Sequence, residues 1–572
     1  MDVYIPSMNY KDGGFCGAFF LWMAISVILL GVPACRSAAK PPEETVIVEE
    51  PQDLPALAGE QLTGLLAFLG DSEGKLNDST LIGNLPVIQN FYEARAFQPV
   101  WSNAKDWNPS GDSLFFLISQ AKRYGLFPVD YHLPALLQVR NQLVLDSIAR
   151  KNVALWTRAD LLLTDGLLKM ASHLKYGHLQ RDSIFLRPDT AFSPETLASL
   201  LEQVVQSGQP RLKLELLEPG HPPYRALRAA LPAFLDSCDF HPQVYIPFPN
   251  PDSLAHIRLV AKRLQEENLL DSGWTLADAD TYITAVKNYQ RSKGIRTTGV
   301  AAEQTVRSLN FGDAEKFMTI ALNLDRYRQL PDTLPETYIV VNLPAYRLKV
   351  YDYDTIALES KVIVGAAKTP TPVLNSQITN VITYPQWTVP YSIIFKEMLP
   401  KIQKDINYLD KQNLMVVDRF DSVINPQSIN WAELNRKNFP YLLRQRQGDD
   451  NSLGVMKFNF RNKYSVYLHD TNARSLFSKS ARALSHGCVR VQEWEKLSHF
   501  LVRNDEIRYH PDTIRAWIDR QEKHIISDFS QLPIYIRYYT CEAGKSGLSF
   551  FEDIYGVDQL LMERYFKSKP LN

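Results

Sequence analysis

Cysteine is scarce in this chain: five residues in 572. That count excludes a disulfide-stapled scaffold, and no CxxC pair occurs anywhere to suggest a structural zinc site. Charge of one sign is equally lacking. There are 62 Lys and Arg against 63 Asp and Glu, a net charge of -1, so the basic excess of a chain-wide nucleic-acid binder is missing and no nucleic-acid partner is expected. With 26 glycines and 35 prolines, neither a collagen-like nor a low-complexity architecture fits. No repeat of 20 to 50 residues is evident. What is present is the ordinary composition of globular protein, 45% apolar and 22% charged, in a length that suggests three to five domains.

Long apolar runs are absent with one exception. Between Asp12 and Arg36 no charged side chain occurs, and Phe15 to Ala34 is a continuous apolar stretch about as long as a membrane-spanning helix. Three readings stay open: a cleaved signal peptide, a retained anchor, or a lipoprotein signal. The third rests on Val32-Pro33-Ala34-Cys35, which resembles a bacterial lipobox with Cys35 as the lipidated residue, although Pro33 departs from the usual small residue and Lys11 is offset by two aspartates. Residues 1–35 are thus expected to export or anchor the chain, and 36–53, rich in Pro and Glu, to act as an extended tether. Everything after them is expected in the periplasm, attached to the envelope through a lipid or membrane anchor.

From 54 to 272 apolar residues recur at three- and four-residue intervals, predicting a helical scaffold domain. His173 and His178 near a helix end have no cysteine or carboxylate cluster beside them in sequence, so a structural role is expected rather than a metal site. Residues 273–312 form a compact unit in which Ile283, Val286 and Tyr289 share a helical stripe, Gly294 stops the helix and Thr298-Gly299 turns the chain. This unit resembles the small peptidoglycan-binding repeat; a generic helical hairpin is the alternative. From Thr337 the period changes to two, with alternating runs rich in Val, Ile and Tyr. Residues 335–505 therefore read as a mostly-β domain, interrupted by a helix-and-loop insertion at 393–450, and 506–572 as a C-terminal helix and strand extension. The fold class is multi-domain α+β.

One segment concentrates chemistry: Tyr467-Leu-His469-Asp470-Thr, thirteen further residues, then Ser485-His486-Gly487-Cys488-Val489-Arg490. A cysteine nucleophile needs thiolate character, which an imidazole, backbone donors or a cation can supply. His469 and Cys488 are too far apart for one helix face and can meet only where a strand ends at His469 and the chain loops back. Val466 and Leu468 would then face one side, Ser465, Tyr467 and His469 the other. Gly487 lets backbone amides approach a substrate carbonyl, and Arg490 adds a fixed positive charge. A buried inert cysteine or a His–Cys zinc site are the competing readings.

His469, the gap and Ser485-His486-Gly487-Cys488-x-Arg490 resemble the signature of the L,D-transpeptidase (YkuD-type) catalytic domain, and the chain as a whole resembles the large, YcbB-like multi-domain branch. FYEARAFQPVW, GLFPVDYHLPAL, VVNLPAYRLKVY, WTVPYSIIFKEMLPKI and LGVMKFNFRNKYSVYLHDT support this in order. The resemblance implies Cys488 as nucleophile, His469 as general base and then acid, and Ser485, His486, Gly487, Arg490 and Asp470 as supporting residues. It implies that 393–450 caps the cleft, with Trp387 and Tyr391 at its base as substrate contacts. Peptidoglycan stem peptides would be the partners, cross-linked between third-position residues through a thioester, or trimmed by water as an L,D-carboxypeptidase; a non-catalytic peptidoglycan-binding anchor is the remaining alternative. Carbapenem-type inhibitors would acylate Cys488, and no cofactor or metal is implied. Arg461 stands where the family commonly has proline, and Cys541 occupies an ordinarily apolar position. Cys238 and Cys541 would be free to pair in an oxidising compartment, but nothing in the sequence sets their distance.

Overall fold

The computed structural model describes residues 41–50, 53–78, 80–103, 106–180, 187, 189, 191–353, 355–545 and 547–571. The apolar run 15–34 and Cys35 lie outside them. Among the described residues no helix is long and apolar enough to cross a membrane. The architecture is multi-domain α+β, as expected.

The scaffold is built around α1, Val153–Tyr176, a mostly buried helix with no fully exposed residue. Leu161, Leu162, Leu163, Leu167 and Leu168 are fully buried within it, packed against Leu62, Leu69, Ile88, Trp101 and Ile118 from surrounding helices. The polar residues of α1 point at specific partners. Asp160 accepts hydrogen bonds from the Val100 and Trp101 amides, the latter at 2.8 Å, and from the Tyr92 hydroxyl at 2.5 Å. The segment expected to be a free tether is docked instead. Val48 is buried with Leu54, Ala58 and Val153, and Val46 and Val48 exchange backbone bonds with Val153 and Lys151. Its Val-Ile-Val run, apolar enough to seek a core, outweighs the flanking Pro and Glu.

The small helical unit also begins earlier than residue 273. Its core joins Val286, Tyr289, Val306 and Leu309 to Ile246, Val260, Ala261 and Leu264, so helix Ser253–Glu266 packs here rather than with the scaffold. Gln290 holds the turn expected at Thr298-Gly299, accepting from both amides at 2.8 and 2.9 Å.

The β domain is a closed ladder of eight strands: β1 (Thr337–Asn342), β2 (Arg347–Asp352), β3 (Thr355–Gly365), β4 (Leu374–Thr383), β5 (Met456–Phe460), β6 (Leu468–His469), β7 (Val489–Val491) and β8 (Leu532–Arg537). Around the barrel the order is β7-β3-β2-β1-β8-β4-β5-β6 and back to β7. Alternate side chains fill the interior: Ile339, Leu348, Val362, Ile378, Phe458, Leu468, Val489 and Ile534 are all fully buried in one core. β8 was expected as a terminal extension beyond 505. It lies instead between β1, to which it is parallel, and β4, so the barrel does not end at 505. Parallel pairing between segments some 200 residues apart leaves no trace in local periodicity.

The insertion is also more than helix and loop. It carries its own four-stranded sheet, from Trp387–Thr388 to Leu442–Gln445, and a separate core of Ile394, Ile402, Leu414, Val416 and Leu443. Residues after β8 turn back onto the scaffold. Tyr539, Cys541 and Phe566 share a core with Phe127, Tyr224, Phe317 and Leu324, and Arg326 pairs with the buried Asp558.

Candidate active site

Strand alternation sets the site. On β5, β6 and β7 the residues Phe458, Leu468 and Val489 turn inward, so Lys457, Tyr467, His469, Cys488 and Arg490 fall on the outer wall. Register then brings them together: His469 lies opposite Lys457 on one side and Arg490 on the other. The chain does loop back, as anticipated from the spacing, because β6 and β7 pair in parallel.

The Ser485–Cys488 loop is held by several clasps. Ser485 donates its hydroxyl to the Cys488 carbonyl at 2.6 Å and accepts from the Gly487 amide at 3.1 Å. Thr371 donates to the Gly487 carbonyl at 2.8 Å, and Thr369 to that of Ser485 at 3.0 Å. Gly487 has φ +117°, a conformation that side chains disfavour. Gly365 has no room at all: a Cβ there would sit 2.2 Å from the Thr369 carbonyl oxygen. The Gly487 amide is thus committed to Ser485. Those of His486 and Cys488 donate to no acceptor among the described residues, which leaves them as the pair able to face an oxyanion.

Burial pushes the Cys488 thiol up, opposed by Tyr467 (backbone and hydroxyl), Lys457 and Arg490. Tyr467 stands level with Cys488 across the β6–β7 pair, and the Cys488 sulfur lies 3.9 Å from the Ser465 carbonyl oxygen. Burial, and next the Arg490 charge, pull His469 down to about 3, partly offset by the backbone of Asp470 and Leu453. The ring is therefore neutral at ordinary pH. Its Nδ1 and the Nε of Arg490 are buried without a partner among the described residues.

Other predicted residues stand further off. The Asp470 carboxylate is fully buried and turned away, bound to Arg474 at 2.6 Å and to the Val455 amide at 3.1 Å. It pins the loop before β5 rather than orienting His469. His486 is exposed and reaches the cap, its Nε2 2.8 Å from Glu397. Trp387 lies on the first strand of the cap's sheet, paired with Gln445. Tyr391 joins an aromatic cluster within the cap, stacked on Phe395 with centroids 5.8 Å apart. Strand alternation in the sequence put Tyr467 on the face of His469 without giving it a role, and Lys457 was passed over.

Cys238 and Cys541 are free thiols. One cluster far from Cys488 has metal-ligand chemistry: Asp130, His173 and His178 bring their donor atoms within 4.8 Å of one another. The fold thus supplies the carboxylate that sequence did not place there. The position is taken by an ammonium, Lys569 Nζ, 2.6 Å from Asp130 and 3.1 Å from His178.

Comparison with known proteins matches residues 86–231 to the scaffold domain family and residues 336–508 to the L,D-transpeptidase catalytic domain (YkuD). A curated Haemophilus influenzae protein, provisionally named an L,D-transpeptidase, is 32% identical over 296 residues, covering 49% of this chain and 57% of its own. The chain thus spans little more than half the length of that relative. Among solved structures, an L,D-transpeptidase of Enterococcus faecium is 12% identical, covering 36% of this chain and 52% of that one, with a TM-score of 0.17. One from Stackebrandtia nassauensis is 14% identical over 52% of this chain and 97% of its own, with a TM-score of 0.15. With Cys488 and His469 both inside the matched segment, the chain carries an L,D-transpeptidase catalytic domain at 336–508, behind a scaffold domain at 86–231.

Proposed function

We propose that this chain is a peptidoglycan L,D-transpeptidase that joins third-position residues of two stem peptides through a Cys488 thioester. The observation that supports the proposal is the parallel register of β6 and β7, which sets Cys488 level with Tyr467 and one step from His469, next to a loop tied to the cap. In the first half-reaction the Cys488 sulfur attacks the carbonyl of the bond after the third residue of a tetrapeptide stem. The thiol proton passes to neutral His469, the His486 and Cys488 amides hold the oxyanion, and His469 returns the proton to the departing D-alanine amine. In the second half-reaction an acceptor amine attacks the thioester, His469 takes its proton, and the sulfur leaves. Export through residues 1–35, with Cys35 lipidated, is part of the same proposal, since the polymer lies outside the inner membrane.

Incubating the protein with disaccharide-tetrapeptide and weighing the products tests it. A dimer lighter by one D-alanine supports transpeptidation. Tripeptide alone shifts the reading to an L,D-carboxypeptidase, and unchanged substrate defeats both. Palmitate labelling that persists in Cys35→Ala would refute lipidation at Cys35.

A further inference from the structure

Lys457 has an unusual position for a lysine. It is half-buried on the outer wall of β5, its Nζ lies 4.1 Å over the Tyr467 ring, and among the described residues no carboxylate pairs with it. A desolvated ammonium without an acid partner is costly, and natural chains keep one where it answers another charge. The groups that face it are few. From β6 come Tyr467 and His469, the latter directly opposite in register. From β7 comes Arg490, and from the segment after helix Pro511–Asp519 comes Lys523. The His486–Glu397 pair stands on the cap side, and both of its members are well exposed. None of these is a buried anion. The one group in the cluster that becomes negative in the proposed reaction is the Cys488 sulfur, whose residue is level in register with Tyr467, the ring beneath Lys457.

We propose that Lys457 is a positioning residue that supplies the positive charge facing the Cys488 thiolate, acting across Tyr467. The inference rests on Cys488 being the nucleophile. His469 cannot fill this role in the resting site, because Arg490 opposite it and its own burial keep the imidazole uncharged. The labour is divided: His469 carries the proton, and Lys457 makes the anion left behind affordable. Direction agrees from both sides, since the thiolate favours the charged lysine and the lysine favours the thiolate.

The test is the pH dependence of Cys488 alkylation by iodoacetamide on the full chain, followed on the Cys488 peptide by mass spectrometry. It needs no peptidoglycan, so it separates failure of this inference from failure of the cross-linking activity. Lys457→Met is expected to raise the alkylation midpoint by about one pH unit and to slow the reaction near neutrality about tenfold, the effect of one charge a few ångströms away in a partly buried site. Lys457→Arg, which keeps the charge, is expected to hold the midpoint. Where Lys457→Met fails to fold, Lys457→Gln carries the same comparison. An unmoved midpoint in the neutral variants overturns the proposal, and so does an equal shift in Lys457→Arg, which would make shape rather than charge the cause.

Discussion

Two buried polar clusters in this molecule can be set side by side. In the scaffold, Asp160 is enclosed by α1 and receives the Val100 and Trp101 amides and the Tyr92 hydroxyl. In the barrel wall His469 is buried and Arg490, Lys457 and Cys488 are partly so, but among the described residues His469 Nδ1 and Arg490 Nε have no partner and Lys457 has no acid. The first cluster is satisfied and locks packing. The second is left unsatisfied, and its open valences suit a charge that appears only during reaction. Burial alone does not separate these two clusters; the state of their hydrogen bonds does.

The largest effect that would break this contrast concerns the thiol. Cys488→Ala should abolish the mass adduct formed with a carbapenem while leaving the melting temperature within about 2 °C of the parent, because an under-partnered site contributes little to stability. Next comes His469→Gln, for which turnover of disaccharide-tetrapeptide should fall about 1,000-fold, the range of a lost general base. Asp160→Ala should do the reverse. It should cost about 3 kcal/mol in denaturant unfolding by orphaning two amides and a hydroxyl, with carbapenem acylation of the folded fraction unchanged.

Acid titration sharpens the same comparison. His469 titrates at about 3 in the folded protein against an ordinary 6.5, so its stabilising share is present above about pH 6.5 and is lost as pH falls towards 3. Asp160, pushed up by burial from 3.8 to about 6, works in the opposite sense: its share is present below about pH 4 and lost as pH rises through 6. Stability measured against pH should therefore flatten on the acid side in His469→Gln and lose its decline between pH 4 and 6 in Asp160→Asn, each change being on the order of a few kcal/mol. The smallest effect belongs to the cap. Glu397→Gln weakens an exposed contact to His486 and should raise KM about twofold with kcat held, as befits a surface ion pair.

The site was partly legible in the sequence for a physical reason. His469 and Cys488 announce themselves because strand alternation and a glycine-flanked cysteine are local patterns. How Asp470 would support the site was not legible, because proximity in sequence says nothing of direction; its carboxylate binds Arg474 and the Val455 amide. Lys457 was overlooked because its meaning comes from register, opposite His469, and register is set by pairing rather than by neighbours along the chain. The fold divides in the same way. The helical scaffold and the change to strands at Thr337 follow from periodicity. The central place of β8 and the start of the small unit at Ile246 follow from contacts that periodicity does not record.

β8 has a consequence in time. β1 and β4 flank a gap until residues 532–537 arrive to fill it, and until then the wall that presents Cys488 has no closed barrel behind it. Cys488 itself is made 44 residues before the first of that strand, at 488 against 532. A chain still emerging thus holds Cys488 on an unfinished wall, and the barrel behind it closes only as that late strand is inserted. Strand order here acts as a clock for the closing of the barrel, set by the last of its strands to be made.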